Sequence, residues 1–165
     1  EACQIIHNAS ALTHAHPISL IACDIYCSIA NELLCGRRHP ADIQHGITAA
    51  KEMCASLTDT APYLDTFQRV DMDVLQSLPK SEISGSGYVV HTLEADLWCL
   101  LHTDSYRACV LEAVNLGEDT DTVGAVAGGL AGIQYGAADI PEEWLCVLAK
   151  RSEIEALCQT FAQSL

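Results

Sequence analysis

Apolar residues recur along this chain at intervals of three and four, the spacing of one helix face, and no segment shows the sustained alternation of a half-buried strand. The pattern predicts an all-α fold. Between Pro17, suited to a first helical turn, and Gly36, suited to a stop, Ile18, Ile21, Ile25, Ile29 and Leu33 line one face while Asp24, Ser28, Asn31 and Glu32 share another. A second helix of the same design runs from Pro40 to Leu57, with Ile43, Ile47, Ala50 and Cys54 on its apolar side. The stretch Thr58–Gly87 differs, because Pro62, Pro79 and the run Ser84-Gly85-Ser86-Gly87 predict short helices and a loose, mobile loop region.

Beyond the loop, Val89–Leu101 is again apolar at helical spacing, and Asp104 is placed to cap a helix from Ser105 to about Asn115. The next helix, from about Asp121 to just before Gly136, has no charge after its first residue, which predicts burial on all sides. Gly124, Gly128 and Gly132 lie four apart on one of its faces, and each costs about 1 kcal/mol relative to Ala unless a neighbouring helix comes close. Pro141 should open a helix ending near Lys150, and Ser152 with Glu155 has the form of a capping box for a last helix reaching about Gln163. No repeat, low-complexity tract or linker divides the 165 residues, so the expectation is a single all-helical domain.

Composition narrows the functional classes. Eight Lys and Arg against 22 Asp and Glu give a net charge of −14, which repels phosphate backbones and anionic bilayers, so neither nucleic acid nor membrane is an expected partner. Half of the residues are hydrophobic, so the acidity coats a packed body rather than marking disorder. The cysteines number nine, an odd count spread over helical stripes, which fits a reducing, cytoplasmic setting better than a disulfide framework. Val123–Ile140 is uncharged up to Asp139, yet it is built of Gly and Ala and contains Gln134, so it is not read as a membrane span. Glu1 is not an initiator, which places it within a longer product or behind a processed end.

Candidate chemistry concentrates at Gly117-Glu118-Asp119-Thr120-Asp121-Thr122, at the start of the glycine-studded helix. Carboxylates and hydroxyls there suit simple capping, and they equally suit a hard divalent cation such as Mg²⁺ or Mn²⁺ held by Asp119, Asp121 and Thr122. An EF-hand is excluded, since Val123 stands at the fifth loop position and no Glu follows at the twelfth. One carboxylate pair is too few for a complete site, so further ligands must come from elsewhere. His14 and His16 precede a helix start with no third zinc ligand nearby, which leaves substrate contact as their open role. Cys23 and Cys27 are one turn apart with no basic neighbour and read as packing residues. Ser84–Tyr88 offers backbone amides for a phosphate without the Lys of a P-loop, and Tyr88 adds a ring on which a base or ribose can lie. Asp96 lies in the apolar run Leu93–Leu101, where a lone buried carboxylate is expensive, so it is expected to face outward or to reach a partner.

Taken together, Leu116-Gly117-Glu118-Asp119-Thr120-Asp121-Thr122, Ala127-Gly128-Gly129-Leu130-Ala131-Gly132, Tyr135-Gly136, Ile140-Pro141 and Trp144 resemble the C-terminal signature of the ADP-ribosylglycohydrolases, the family of the dinitrogenase reductase-activating glycohydrolase. Ser10, Thr13 and His14 match that family's Ser-x-x-Thr-His motif, and Gly87-Tyr88-Val89-Val90 with Thr92-Leu93 is similar to its loop-then-helix element. The resemblance implies an orthogonally packed helical fold and a two-metal Mg²⁺ or Mn²⁺ cleft that hydrolyses the glycosidic bond between ADP-ribose and a protein side chain or small acceptor. It makes Asp119, Asp121 and Thr122 metal ligands and His14 and Tyr88 contacts to ADP-ribose. The family's opening Gly-Asp helix and Ser/Thr-x-Asp-Asp-Thr motif do not occur here, so the chain corresponds to the C-terminal portion, with the acid/base carboxylate outside it. The expectations that follow are weak metal affinity, little turnover by this chain alone, and apolar surface open to self-association. A noncatalytic structural or ADP-ribose-binding protein on the same fold is the alternative. Glu118 departs from the small residue that the family usually has.

Overall fold

The computed structural model of the protein describes residues 2–164, and every regular element among them is helical. Nine α-helices are found among the described residues: α1 Ala2–Ser10, α2 Pro17–Leu34, α3 Pro40–Ala55, α4 Met72–Ser77, α5 Val89–His102, α6 Tyr106–Val114, α7 Thr120–Tyr135, α8 Glu142–Leu145 and α9 Arg151–Gln163. Helix α1 has no counterpart in the sequence-based assignment. Its apolar residues are few, and none of its side chains is fully buried.

The core forms where the stripes predicted. Ile21, Ile25, Ile29 and Leu33 of α2 meet Ile43, Ile47, Ala50 and Cys54 of α3, and α5 and α7 close the cluster with Leu93, Leu97, Val123, Ala127 and Leu130. Helix α2 is long and apolar enough to cross a bilayer by composition, but its hydropathy is that of a core helix packed against α1, α3, α5 and α7. The polar face of α2 is not wholly wet: Asp24 and Glu32 are both buried. Gly46 explains the closeness, because a Cβ there would stand 3.1 Å from Cγ of Glu32 and 3.3 Å from the Ser28 carbonyl. Glu32 keeps its charge compensated through Arg37 and through His45, 3.3 Å away.

Thr58–Gly87 does consist of short elements, the 3-10 turns Ala61–Phe67 and Lys80–Glu82 flanking α4. It is anchored more firmly than its Pro and Gly content suggests. Phe67, Val70 and Leu75 are fully buried, Lys51 Nζ donates to the Phe67 and Val70 carbonyls at 2.9 and 2.7 Å, and Trp98 Nε1 donates to the Leu78 carbonyl at 2.9 Å.

Several local expectations need correction. Ser105 rather than Asp104 caps α6, accepting from the Ala108 amide at 3.3 Å. Helix α7 is not buried all round: α6 covers the Gly124–Gly128–Gly132 side, where Val114, Val110 and Tyr106 fill the space of the missing Cβ atoms, while Ala125 and Gly129 are exposed on another side. The helix after Pro141 stops at Leu145, and Lys150 adopts a left-handed conformation at φ 60°, which breaks the chain before α9. Ser152 and Glu155 form no capping box, because α9 already begins at Arg151, whose guanidinium takes the Glu155 carboxylate at 2.7 Å. Asp96 neither faces outward nor finds a partner: it is 0% exposed and both carboxylate oxygens are unpaired. The apolar side chains Val147, Leu157 and Phe161 near the C-terminal end are exposed.

Candidate functional site

The turn after α1 is built by its own polar groups. Ser10 accepts the His14 amide on its carbonyl at 2.8 Å and donates its hydroxyl to the His14 carbonyl at 3.0 Å, while Thr13 Oγ1 lies 3.1 Å from His14 Nδ1. This closes Ser-x-x-Thr-His into a compact loop that delivers His16 as the cap of α2, where its Nδ1 accepts the Ile18 amide at 3.2 Å. His16 also stands edge-on to Tyr63, with ring centroids 5.3 Å apart.

A second loop faces the first. Ser86 Oγ is 2.7 Å from His91 Nδ1, Thr92 Oγ1 donates to the Ser86 carbonyl at 3.3 Å, and Tyr88, capping position of α5, stands edge-on to His91 at 5.1 Å. Tyr88 is left 44% exposed, so its ring is available to a ligand.

The acidic loop docks on this one. The Asp119 amide donates to the Gly85 carbonyl at 3.0 Å, a Cβ on Gly85 would overlap the Gly117 carbonyl, and a Cβ on Gly87 would overlap the Asp119 carboxylate. Glycine at 85 and 87 is thus a steric requirement of that contact. Gly117 at φ 86° and Glu118 at φ 59° make two successive left-handed residues, which turn the chain so that Asp119 opens α7.

Asp119 occupies the N-cap position of α7, yet its side chain caps nothing. Asp121 accepts the Thr122 amide on Oδ1 at 3.0 Å. Its hydrogen-bond contact with the Asp119 side chain, ahead of the backbone donors of Thr122 and Asp121, holds the Asp121 carboxyl below its ordinary value. Asp119 and Asp121 are thus neighbouring carboxylates at the start of α7. Together with the Thr122 hydroxyl they present an all-oxygen donor set, the kind that suits a hard divalent ion.

All three loops surround one open cavity of about 760 Å³. Ser10, Thr13 and His14 line it from the first loop, Gly87, Tyr88 and Thr92 from the second, and Thr122 from the start of α7. Asp119 and Asp121 are not among its lining residues, but the Asp119 carboxylate stands against Gly87, which is. The floor is apolar, with Ala22, Leu93 and Val126, and it includes Cys23 and Cys27, which therefore face the cavity instead of only packing. Tyr26 also lines it and was not singled out from sequence; it sits one turn past Ala22 on the same side of α2. Its hydroxyl donates to the Val126 carbonyl at 3.1 Å and occupies the place that a side chain at Gly129 would take.

The family model described as ADP-ribosylglycohydrolase matches residues 1–165. This chain belongs to the ADP-ribosylglycohydrolase family. Its all-helical architecture agrees with that family's fold. It is 31% identical over 150 residues to ADP-ribosylarginine hydrolase Tri1 of Serratia proteamaculans (strain 568), an alignment covering 91% of this chain and 37% of the relative. It is 33% identical over 144 residues to the ADP-ribosyl-[dinitrogen reductase] glycohydrolase of Rhodospirillum rubrum, covering 87% of this chain and 42% of that protein. A shorter alignment, 33% identical over 57 residues, relates 34% of the chain to 16% of human ADP-ribosylhydrolase ARH3. The chain thus spans about two-fifths of the length of the first two of these relatives.

Proposed function

We propose that this chain supplies the ligand-facing wall and one part of the cation site of a hydrolase that releases ADP-ribose from protein arginine. The observation that carries the proposal is the convergence of the Ser10–Thr13–His14 turn, Tyr88 and the Thr122 end of α7 on a single cavity. The arginine acceptor is proposed because a relative aligned over 91% of this chain is named for it.

In this proposal Asp119, Asp121 and Thr122 hold a Mg²⁺ or Mn²⁺ ion, and the donor set fits, since the Asp119 carboxylate is free of any capping duty. The bound ion would contribute positive charge against the ribose hydroxyls and the attacking water. His14 and Tyr88 are proposed to contact ADP-ribose, Tyr88 by offering its exposed ring to the base or ribose and His14 by a polar contact from the opposite loop. The cavity's apolar floor then excludes water beneath the sugar. Hydrolysis also needs a group that hands a proton to the departing arginine or takes one from water. Among the described residues no carboxylate lines the cavity itself, so this chain alone is expected to bind ligand with little turnover.

Calorimetry with ADP-ribose in the presence and absence of Mn²⁺, alongside an ADP-ribosyl-arginine hydrolysis assay, tests this. Binding that strengthens with Mn²⁺ and weakens in His14→Ala and Tyr88→Ala supports the assignment. Binding of neither ligand contradicts it, whereas ADP-ribose binding indifferent to Mn²⁺ favours a noncatalytic binding protein on the same fold.

A further inference from the structure

On the side of α2 reached by α1 and α3, a second group of ligand-type residues converges. Cys3 and His7 are one turn apart on α1, Asp24 lies on α2, and Cys54 sits in the last turn of α3. Cys3 Sγ is 3.5 Å from His7 Nε2 and 3.8 Å from Asp24 Oδ2, His7 Nε2 is 2.5 Å from the same oxygen, and Cys54 Sγ is 3.3 Å from it. Ligand atoms of Cys3, His7 and Asp24 all fall within 4.8 Å of one another.

We propose that Cys3, His7 and Asp24 form a binding site for a borderline-soft divalent cation, Zn²⁺ above all, that fastens α1 to α2, with Cys54 of α3 donating to Asp24 from behind.

Three features carry this. A sulfur, an imidazole and a carboxylate are ligands that zinc takes, with water completing four-coordination, and tetrahedral bond lengths place neighbouring donors about 3.3–3.8 Å apart. The Cys3–Asp24 and Cys3–His7 contacts already have that spacing, and His7 with Asp24 needs only a small opening. Next, all three neighbours crowd onto Oδ2, while Oδ1 of the fully buried Asp24 side chain has no partner at all. A buried carboxylate oxygen without a donor is costly, and a cation held beside it would offset that cost. Finally, α1 is nine residues long with no buried side chain, too short to be stable by itself, and a cross-link to α2 would supply what packing does not.

The site is separate from the acidic loop in chemistry as well as position: sulfur and imidazole select zinc, whereas the Asp119–Thr122 oxygens suit Mg²⁺ or Mn²⁺. It also has a structural consequence for the cavity, since α1 ends at Ser10, the residue that holds the His14 turn. The inference does not depend on the hydrolase proposal.

The test is metal analysis of the purified 165-residue chain under reducing conditions, with Co²⁺ as a spectroscopic probe. Equimolar zinc after dialysis is expected, together with tetrahedral d–d bands and a thiolate-to-cobalt charge-transfer band on Co²⁺ substitution. Both signals should be lost in Cys3→Ser and in His7→Ala, whose positions are only partly buried, so that folding is retained by circular dichroism. They should persist in Asp119→Asn. A chain that takes up no zinc, or a cobalt spectrum without the thiolate band, overturns the proposal, as does zinc binding that is unchanged in both α1 variants.

Discussion

Gly87 and the Asp119 carboxylate are in such close contact that position 87 has no room for a Cβ. The first residue belongs to the loop before α5 and the second opens α7, so the contact sets where the acidic loop stands relative to the cavity wall. Gly87→Ala should therefore push the Asp119 side chain aside without touching the core. The expected outcome is a loss of Mn²⁺ affinity of about tenfold or more, equivalent to roughly 1.4 kcal/mol, with near-native circular dichroism. Calorimetric titration of both proteins with Mn²⁺ measures it.

Glu118 sits at φ 59°, in a region that costs a side chain with a Cβ about 1–2 kcal/mol. Its side chain is exposed. Glu118→Gly should remove the strain, partly offset by the greater freedom of glycine in the unfolded chain, and so be neutral to mildly stabilising by up to about 1 kcal/mol. Urea unfolding measures the difference. A marked destabilisation would mean that the Glu118 carboxylate does work that its exposed position hides.

Asp96 gives a pH signature. Burial alone pushes its carboxyl well above the ordinary value of 3.8, so the folded chain keeps this proton over a pH range in which the unfolded chain has released it. The unfolded state then binds fewer protons, and stability falls as pH rises above 3.8 until the folded-state value is passed. Below 3.8 both states are protonated and the linkage vanishes. Asp96→Ala should thus stabilise the protein by about 1–3 kcal/mol near neutrality and by less near pH 4. Unfolding curves at the two pH values decide it; an equal effect at both would show that Asp96 is not held neutral in the folded chain.

Helix spacing made the fold legible. The Ile stripe of α2 and the Ile43–Cys54 stripe of α3 are buried as their periodicity requires, and the glycines of α7 do admit the side chains of α6. Periodicity fails where a helix is short or its face is covered by something other than an apolar stripe. Helix α1 has too few apolar residues to announce itself, α8 is a single turn, and Asp24, Glu32 and Asp96 are buried by neighbouring helices that local sequence does not reveal. The site was legible as separate motifs, because turns and caps are local. What sequence could not supply was the cavity that joins them, or Tyr26, Cys23 and Cys27 in its lining, since these depend on how α2 meets α5 and α7. The Cys3–His7–Asp24–Cys54 cluster escaped for the same reason: its members come from three helices.

Asp119, Asp121 and Thr122 are proposed to hold a hard cation instead of only beginning a helix. Paramagnetic broadening of backbone amide signals by Mn²⁺ is the most direct test, because it locates even a weakly held ion. Broadening centred on Thr120–Thr122 and Gly87–Tyr88, abolished in Asp119→Asn and Asp121→Asn, is the predicted result. Amides in those loops that stay sharp while Mn²⁺ broadens signals elsewhere, or broadening that survives both substitutions, would contradict it.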